Sequence, residues 1–217
     1  MKGKKKQTIL VFSAHSDDFV IGAGGTIAKY TAEGKKVIVV AFSYGEKSHP
    51  WLKEQIIQKM RSEEAWEASK ILKCQILFFD LKEFNFLNDY ISQNKEQELI
   101  AIIQKAKPIK IFTHSSEDPH PDHQAVHKIT LDLYHKLNSI KPEVYIYSIW
   151  NPVSFKTQYP VLFVNVSATF SIKLQALRTF RSQKIHVAYP FLLLLFRAVL
   201  AGVKLRTRFA EKFFRIK

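Results

Sequence analysis

The sequence predicts an α/β protein with a mostly parallel sheet and helices on both faces. Short apolar runs rich in Val, Ile and Phe alternate with longer segments of helical periodicity along most of the 217 residues. Two groups of histidine and aspartate each follow directly after an apolar run, at the strand ends where open parallel sheets bind ligands. The length and the lack of an evident repeat or linker favour a single domain spanning residues 1–217.

The first four elements are the clearest. The run TILVFSA (8–14) predicts a strand, and GGTIAKYTAEG (24–34) predicts a helix that ends at the glycine. KKVIVVAFSYG (35–45), with three valines and an isoleucine, predicts a second buried strand. EQIIQKMRSEEAWEASKILK (54–73) has apolar residues at helical spacing.

The same alternation continues to residue 167. It predicts strands at 74–80, 109–115, 143–150 and 159–167, and helices at 95–107 and 122–137. The last two strands are expected to be joined by a proline-containing turn, and the chain after them is expected to be mostly helical.

Positive charge collects at both ends, in a basic tail at 1–7 and a basic, apolar segment at 186–217. The formal charge of +14, from 33 Lys and Arg against 19 Asp and Glu, favours nucleic acid or anionic lipid as a partner, unless the ends are simply solvated. Residues 189–205 are too short, and interrupted by Arg197, for a spanning helix, so peripheral contact with an anionic membrane is the expectation. Cys74 is the only cysteine, which fits a core position and a reducing, cytoplasmic location.

Two clusters of ionisable residues follow the first and fourth predicted strands. The first contains His15, Asp17 and Asp18, and the second contains His114, Glu117, Asp118, His120, Asp122 and His123. Imidazole and carboxylate suit zinc, with Fe²⁺ as an alternative, and a catalytic zinc takes three protein ligands. His15, Asp18 and His123 are the predicted ligands. Asp17 is then available as general base, His120 lies opposite it, and Asp122 can orient a neighbouring histidine.

These clusters also resemble a known family. AHSDDFVIGAGGTIAKY (14–30) resembles the opening motif of the LmbE-like, or PIG-L type, zinc-dependent N-deacetylases, and THSSEDPHPDHQAVH (113–127) resembles their second motif. GKKVIVVAFSYGE (34–46) and RSEEAWEA (61–68) are similar to the segments between those motifs. The resemblance extends over residues 8–130 and is loose in the last third.

The resemblance implies a Rossmann-like three-layer α/β/α fold and hydrolysis of an N-acetyl group from an amino sugar. It implies zinc ligands at His15, Asp18 and His123, a general base at Asp17, an acid or oxyanion donor at His120 partnered by Asp122, and a substrate contact at Arg61. Arg61 has an alternative partner in Glu63 or Glu64 on its own helix.

The chain departs from the usual motif at two positions. Ser16 stands where the family has proline, and Phe19 stands where it has glutamate. Neither position supplies a ligand, so the chemistry is expected to survive. Phe19 is expected to make the region beside the metal more apolar and to alter substrate preference.

The leading function is therefore a zinc-dependent hydrolase that removes an N-acetyl group from an amino sugar such as a lipid-linked or glycoconjugate N-acetylglucosamine, releasing acetate. One alternative is a metal-dependent amidase on an amino-sugar conjugate of a thiol or antibiotic pathway. A nucleic-acid-binding protein is the alternative outside enzymes, and it is disfavoured because the basic residues form no recognisable binding module. The sequence does not indicate an oligomeric state.

Overall fold

The computed structural model describes residues 6–48, 51–138, 140–151, 154 and 158–217, and only the backbone of 184–191. The described chain forms a seven-stranded sheet of order β3-β2-β1-β4-β5-β7-β6. The strands are β1 Thr8–Ser13, β2 Lys36–Ala41, β3 Gln75–Phe78, β4 Lys110–His114, β5 Glu143–Tyr147, β6 Val161–Asn165 and β7 Ala210–Arg215. The helices are α1 Asp18–Ala32, α2 Glu54–Leu72, α3 Phe86–Ser92, α4 Lys95–Ala106, α5 Pro121–Lys136, α6 Phe170–Leu177 and α7 Lys184–Leu205.

Strand β1 shows why the molecule has three layers. Its residues are buried on both faces, so successive side chains enter opposite cores. Ile9 and Val11 pack in the core formed with α1, α2, α6 and α7. Leu10 and Phe12 pack in the core formed with α3, α4 and α5. The α/β/α architecture with a mostly parallel sheet is therefore confirmed.

Helix α1 begins earlier than the sequence predicts, at Asp18 instead of Gly24. Gly22, Gly24 and Gly25 all lie inside this helix. A Cβ at Gly22 would lie 2.3 Å from the ring of Tyr147, and a Cβ at Gly25 would lie 2.9 Å from Val166. The lack of side chains at Gly22 and Gly25 therefore allows α1 to pack closely against β5 and the end of β6.

The C-terminal segment was predicted to be mostly helical, and this is wrong for its end. Strand β7 pairs antiparallel with both β5 and β6, so those two strands are not joined as neighbours. Part of their connection lies outside the described residues. The carboxylate of Glu211 in β7 pairs with Lys173 Nζ at 2.5 Å and accepts from the amides of Gly25 and Thr26 in α1. The end of the chain is thus built into the sheet.

Two smaller expectations have definite outcomes. Cys74 packs against the core, and burial raises the pKa of its thiol to about 12, as expected of a structural cysteine. Among the described helices, none has the length and apolar character needed to cross a membrane.

Candidate active site

The two sequence clusters meet where the strand order reverses. Strands β1 and β4 are parallel neighbours, and the chain leaves them toward opposite sides of the sheet order. Residues that follow these strands therefore converge at one carboxyl edge. His15 follows β1, Asp18 is the first residue of α1, and His123 lies in the first turn of α5.

The donor atoms of these three residues form a nearly equilateral triangle. His15 Nδ1 lies 3.2 Å from Asp18 Oδ2, His123 Nε2 lies 3.3 Å from the same oxygen, and the two nitrogens are 3.4 Å apart. All three residues are buried. Zinc bonds of about 2.0–2.2 Å in tetrahedral geometry separate ligand atoms by about 3.3–3.5 Å. The spacing and chemistry of the donors therefore fit a tetrahedral divalent metal such as zinc.

Asp118 supports the third ligand from outside the triangle. Its Oδ1 lies 2.9 Å from His123 Nδ1, while its Oδ2 accepts from the amides of Ile149 and Trp150 at 3.1 and 3.0 Å. Burial raises the pKa of Asp118, but the hydrogen bond and charge of His123 outweigh it and lower the pKa to about 2. An ionised carboxylate here fixes the ring so that Nε2 faces the centre of the donor triangle.

The outer nitrogen of His15 is held in a similar way. His15 Nε2 lies 3.2 Å from Asp122 Oδ2 and 3.3 Å from Glu83 Oε1. Burial lowers the pKa of His15, but its hydrogen bonds to Asp122 and Asp18 outweigh burial and raise it well above its ordinary value. The expected pairing of Asp122 with His120 differs here, because the Asp122 carboxylate contacts His15. Only the Asp122 backbone amide donates to His120 Nδ1, at 3.2 Å.

Asp17 lies beside the triangle and is held by Arg61. Asp17 Oδ1 is 3.1 Å from Arg61 Nη2, and Arg61 Nε donates to Ser16 Oγ at 2.9 Å. Arg61 is buried and pairs with Asp17, while Glu64 of its own helix instead accepts from Ser182. The guanidinium thus fixes the carboxylate predicted to be the general base.

Gly45 makes room for that guanidinium. A Cβ at Gly45 would lie 2.5 Å from the central carbon of Arg61, and the φ angle of +81° is one that side chains rarely allow. Gly45, at the end of the second predicted strand, therefore provides the space that the Arg61 guanidinium occupies.

His120 faces the cleft as a half-buried imidazole. Burial and the charges of His15 and His123 lower its pKa to about 4. Because Nδ1 accepts the Asp122 amide, the proton of the neutral ring is on Nε2. His120 is therefore a neutral hydrogen-bond donor in the cleft, stacked on Phe84 with ring centroids 5.5 Å apart.

A cleft of about 340 Å³ opens over these residues. Its polar side is formed by the metal-site residues and Lys47, and its apolar side includes the aromatic side chains of Phe84 and Trp150. The described lining residues are His15, Asp17, Asp18, Ile21, Lys47, Ser48, Arg61, Glu83, Phe84, His120, Ile149, Trp150, Leu177, Gln183 and Leu194. All the sequence-predicted site residues thus lie at or directly behind one cleft.

Phe19 does not lie beside the cleft, although its place in the motif predicts this. Its side chain is fully buried in the core that contains α1 and α2, and it does not line the cleft. His114 is also fully buried, where Nε2 accepts from the Ala14 amide at 2.9 Å and lies 3.5 Å from Asp18 Oδ2. His114 therefore orients its neighbours and does not line the cleft.

Sequence reasoning missed Glu83 and Phe84. They lie in the loop after β3, at the same edge of the sheet, and that position was the only available signal. The φ angle of Phe84 is +65°, an uncommon conformation that directs its amide to Asp122 at 2.9 Å.

The family whose sequence profile matches this chain is described as PIG-L, GlcNAc-PI de-N-acetylase, and the match spans residues 10–134. The match includes both histidine-aspartate clusters and extends over more than half of the chain. The structure combines a three-layer α/β scaffold with a cluster of histidine and aspartate donors that could hold a metal ion, and this chain belongs to the PIG-L, or LmbE-like, family.

The relatives are enzymes of more than one kind. The chain is 32% identical over 122 residues to 4-oxalmesaconate hydratase of Pseudomonas putida, a match that covers 53% of this chain and 46% of the hydratase. It is 28% identical over 186 residues to the probable N-acetyl-alpha-D-glucosaminyl L-malate deacetylase 2 of Bacillus cereus, covering 81% and 83% of the two chains. The structure of N,N'-diacetylchitobiose deacetylase from Pyrococcus horikoshii matches with a TM-score of 0.80 at 22% identity, covering 98% of this chain and 85% of that one.

Proposed function

We propose that this protein is a zinc-dependent N-deacetylase that hydrolyses an acetamide on an amino sugar and releases acetate and a free amine. The observation that carries the proposal is the triangle of His15, Asp18 and His123 donors, with Asp17 held beside it. The named deacetylases among the relatives support the reaction and the amino-sugar substrate class.

A zinc ion held by these residues would polarise the acetamide carbonyl and lower the pKa of a water molecule. Asp17 accepts the proton of that water as it attacks the carbonyl carbon, and Arg61 keeps the carboxylate in place. His120 donates from Nε2 to the carbonyl oxygen as negative charge develops there. When the C–N bond breaks, the proton held by Asp17 passes to the leaving nitrogen, so acetate and amine are formed.

The cleft walls suit an amino sugar. Phe84 and Trp150 offer aromatic faces next to polar donors, a combination that fits the apolar and hydroxyl faces of a pyranose. Lys47 supplies a cation for a conjugated anionic group. N-acetylglucosamine, free, lipid-linked or in a glycoconjugate, is the substrate that the family description favours.

Acetate release from N-acetylglucosamine and its glycosides tests the proposal, using metal-free protein reloaded with Zn²⁺ or Fe²⁺. We expect activity with zinc, loss with a chelator, and a decrease of at least about 10²-fold in kcat for Asp17→Asn at unchanged zinc content. Asp132→Asn, a carboxylate on α5 outside the cleft, is the matched control. No acetate from any N-acetylated amino sugar, or equal rates in Asp17→Asn and wild type, would reject the proposal.

An amidase acting on a larger amino-sugar conjugate is a second candidate. Mycothiol S-conjugate amidase of Streptomyces coelicolor is 31% identical over 147 residues, covering 57% of this chain and 50% of the amidase. The same donors serve either reaction, and only the acyl group differs. A panel that compares acetamides with bulkier amides of one amino sugar separates the two.

A hydratase is the third candidate, favoured by the similarity to the Pseudomonas enzyme and by the two cations that line the cleft. Lys47 and Arg61 suit carboxylates, and water addition to a carbon–carbon double bond also needs an activated water. Loss of ultraviolet absorbance by an unsaturated oxo-dicarboxylate, with no acetate release from amino sugars, identifies this activity.

The finer expectations about location stay proposals. We propose that the protein is cytoplasmic. We also propose that one face of α7 contacts anionic membranes, assisted by lysine and arginine side chains nearby. This face carries Leu192, Phe196 and Val203, each more than 60% exposed. Cosedimentation with phosphatidylserine vesicles at low salt tests the contact, and absence of binding there rejects it. Saturable binding to a random DNA duplex would instead support the nucleic-acid alternative.

A further inference from the structure

A second cavity lies beside the catalytic cleft, between α7 and the outer strands of the sheet. Its volume is about 420 Å³. Ile21, Ile149 and Leu194 line both this cavity and the cleft, so the two spaces are adjacent and share these side chains as a wall. The deacetylation chemistry uses none of its other residues.

The walls of this cavity are largely apolar. The sheet contributes Ile146, Phe163 and Phe214, and α7 contributes Phe196, Leu200 and Ala201. Phe196 and Leu200 are also 62% and 52% exposed, so a large part of this apolar surface faces solvent. Exposed apolar surface of this kind marks a binding site more often than a structural feature.

Arg197 holds the roof of the cavity in position. Its guanidinium donates to the carbonyl oxygens of Ser148 at 2.8 Å and Ile149 at 3.1 Å, at the exit of β5. These bonds fasten α7 over the strand ends, so the cavity is a built feature of the fold.

Two lysines at the rim give the cavity a positive charge. Lys204 and Lys212 are exposed, and in the part of the chain that the structure describes neither forms a salt bridge. The acid nearest to them in sequence, Glu211, is buried and already paired with Lys173. Burial and the like charge of Lys204 lower the pKa of Lys212 below its ordinary value. An anion between the two ammonium groups would relieve this repulsion.

We propose that the cavity binds a single-chain amphiphile, with its alkyl chain between α7 and the sheet and its anionic group, a carboxylate or phosphate, on Lys204 and Lys212. The apolar walls provide the burial that an alkyl chain needs, and the lysine pair selects a negative head group. The amphiphile is either a separate molecule or the lipid part of a substrate whose sugar lies in the adjacent cleft.

Isothermal titration with dodecyl phosphate below its critical micelle concentration tests the site. We expect saturable binding of one molecule and at least about tenfold weaker binding of uncharged dodecyl maltoside. The double variant Lys204→Glu, Lys212→Glu should weaken dodecyl phosphate binding at least about tenfold, while the matched surface variant Lys59→Glu, Lys70→Glu should bind like wild type. Non-saturable binding, or unchanged affinity in the rim variant, overturns the proposal.

Ala201→Phe fills the cavity from α7 and should abolish binding while leaving the cleft intact. If this variant fails to fold, as judged by its thermal transition, the surface rim variant still decides the question.

A second experiment, which rests on the proposed function, tests whether the bound alkyl chain belongs to a free amphiphile or to the substrate. A KM that is lower for the dodecyl than for the methyl glycoside of N-acetylglucosamine shows that the alkyl chain is part of the substrate, provided that Ala201→Phe removes this difference. Equal KM values together with dodecyl phosphate binding show a free amphiphile. If neither glycoside releases acetate, the proposed function fails, and the titration alone still tests the cavity.

Discussion

The segment from β1 to α5 and the segment from β5 to β7 contribute in different ways to one cleft. The first supplies all three residues of the donor triangle, which follow β1 and β4, together with Asp17, Arg61 and Glu83. The second supplies Ile149, Trp150 and Leu194 on the cleft wall, the adjoining cavity, and a buried ion pair that ties it to α1. The first segment therefore provides the catalytic candidates of the cleft, while the apolar wall is shared between Phe84 of the first segment and Ile149, Trp150 and Leu194 of the second.

The largest effect is expected from removing a metal ligand in the first segment. His123→Ala deletes one corner of the donor triangle, so zinc content should fall below stoichiometry and kcat/KM should drop by at least about 10³-fold. Elemental analysis and acetate release measure the two quantities. His135→Ala, an exposed histidine on the same helix, is the control. Full zinc content in His123→Ala would show that the triangle is not the metal site.

The same contrast explains how much the sequence could predict. In the first segment the candidate ligands follow apolar strands closely, and parallel strands bring their carboxyl ends to one edge. Its four strands and the proximity of His15, Asp18 and His123 could therefore be predicted from pattern and motif. The Asp17–Arg61 pair is an exception, because predicting it requires the orientation of α2 relative to the end of β1. In the second segment, β7 has the sequence AEKFFR, which lacks the alternation of apolar and polar residues that predicts a strand, and its burial depends on pairing with β5 and β6. Such long-range pairing leaves no local signal.

A large effect on stability, with none on the metal, is expected in the second segment. Glu211→Gln leaves Lys173 as a buried charge without its carboxylate, which should lower the free energy of unfolding by about 3–5 kcal/mol. Urea denaturation measures this loss, and zinc content of the folded protein should not change. Glu67→Gln, at the exposed pair with Arg181, should change stability by less than about 1 kcal/mol. Loss of zinc in Glu211→Gln would show that metal binding in the first segment depends on the ion pair in the second.

A smaller effect is expected at the contact that joins the segments. Asp118 follows β4, and its Oδ2 accepts from the amides of Ile149 and Trp150 after β5 while its Oδ1 faces His123. Asp118→Asn replaces one acceptor with an NH₂ group, so zinc affinity should fall by about 10- to 100-fold. Competition with a chromophoric chelator measures the affinity, and Asp132→Asn is again the control. Unchanged affinity would mean that packing alone orients His123.

The smallest effect is expected at Ser16, where this chain departs from its family within the first segment. Its buried hydroxyl accepts from Arg61 Nε at 2.9 Å, which a proline at this position cannot do. Ser16→Ala should lower kcat/KM by about fivefold to tenfold, which corresponds to the roughly 1 kcal/mol that a typical hydrogen bond contributes, with zinc content unchanged. Ser62→Ala, on the outside of α2, is the control. A fall in kcat would show that Ser16 acts through Arg61 on the proton transfer by Asp17, whereas a rise in KM would show that Arg61 contacts the substrate. No change in either constant would mean that Asp17 and Gly45 suffice to seat the guanidinium.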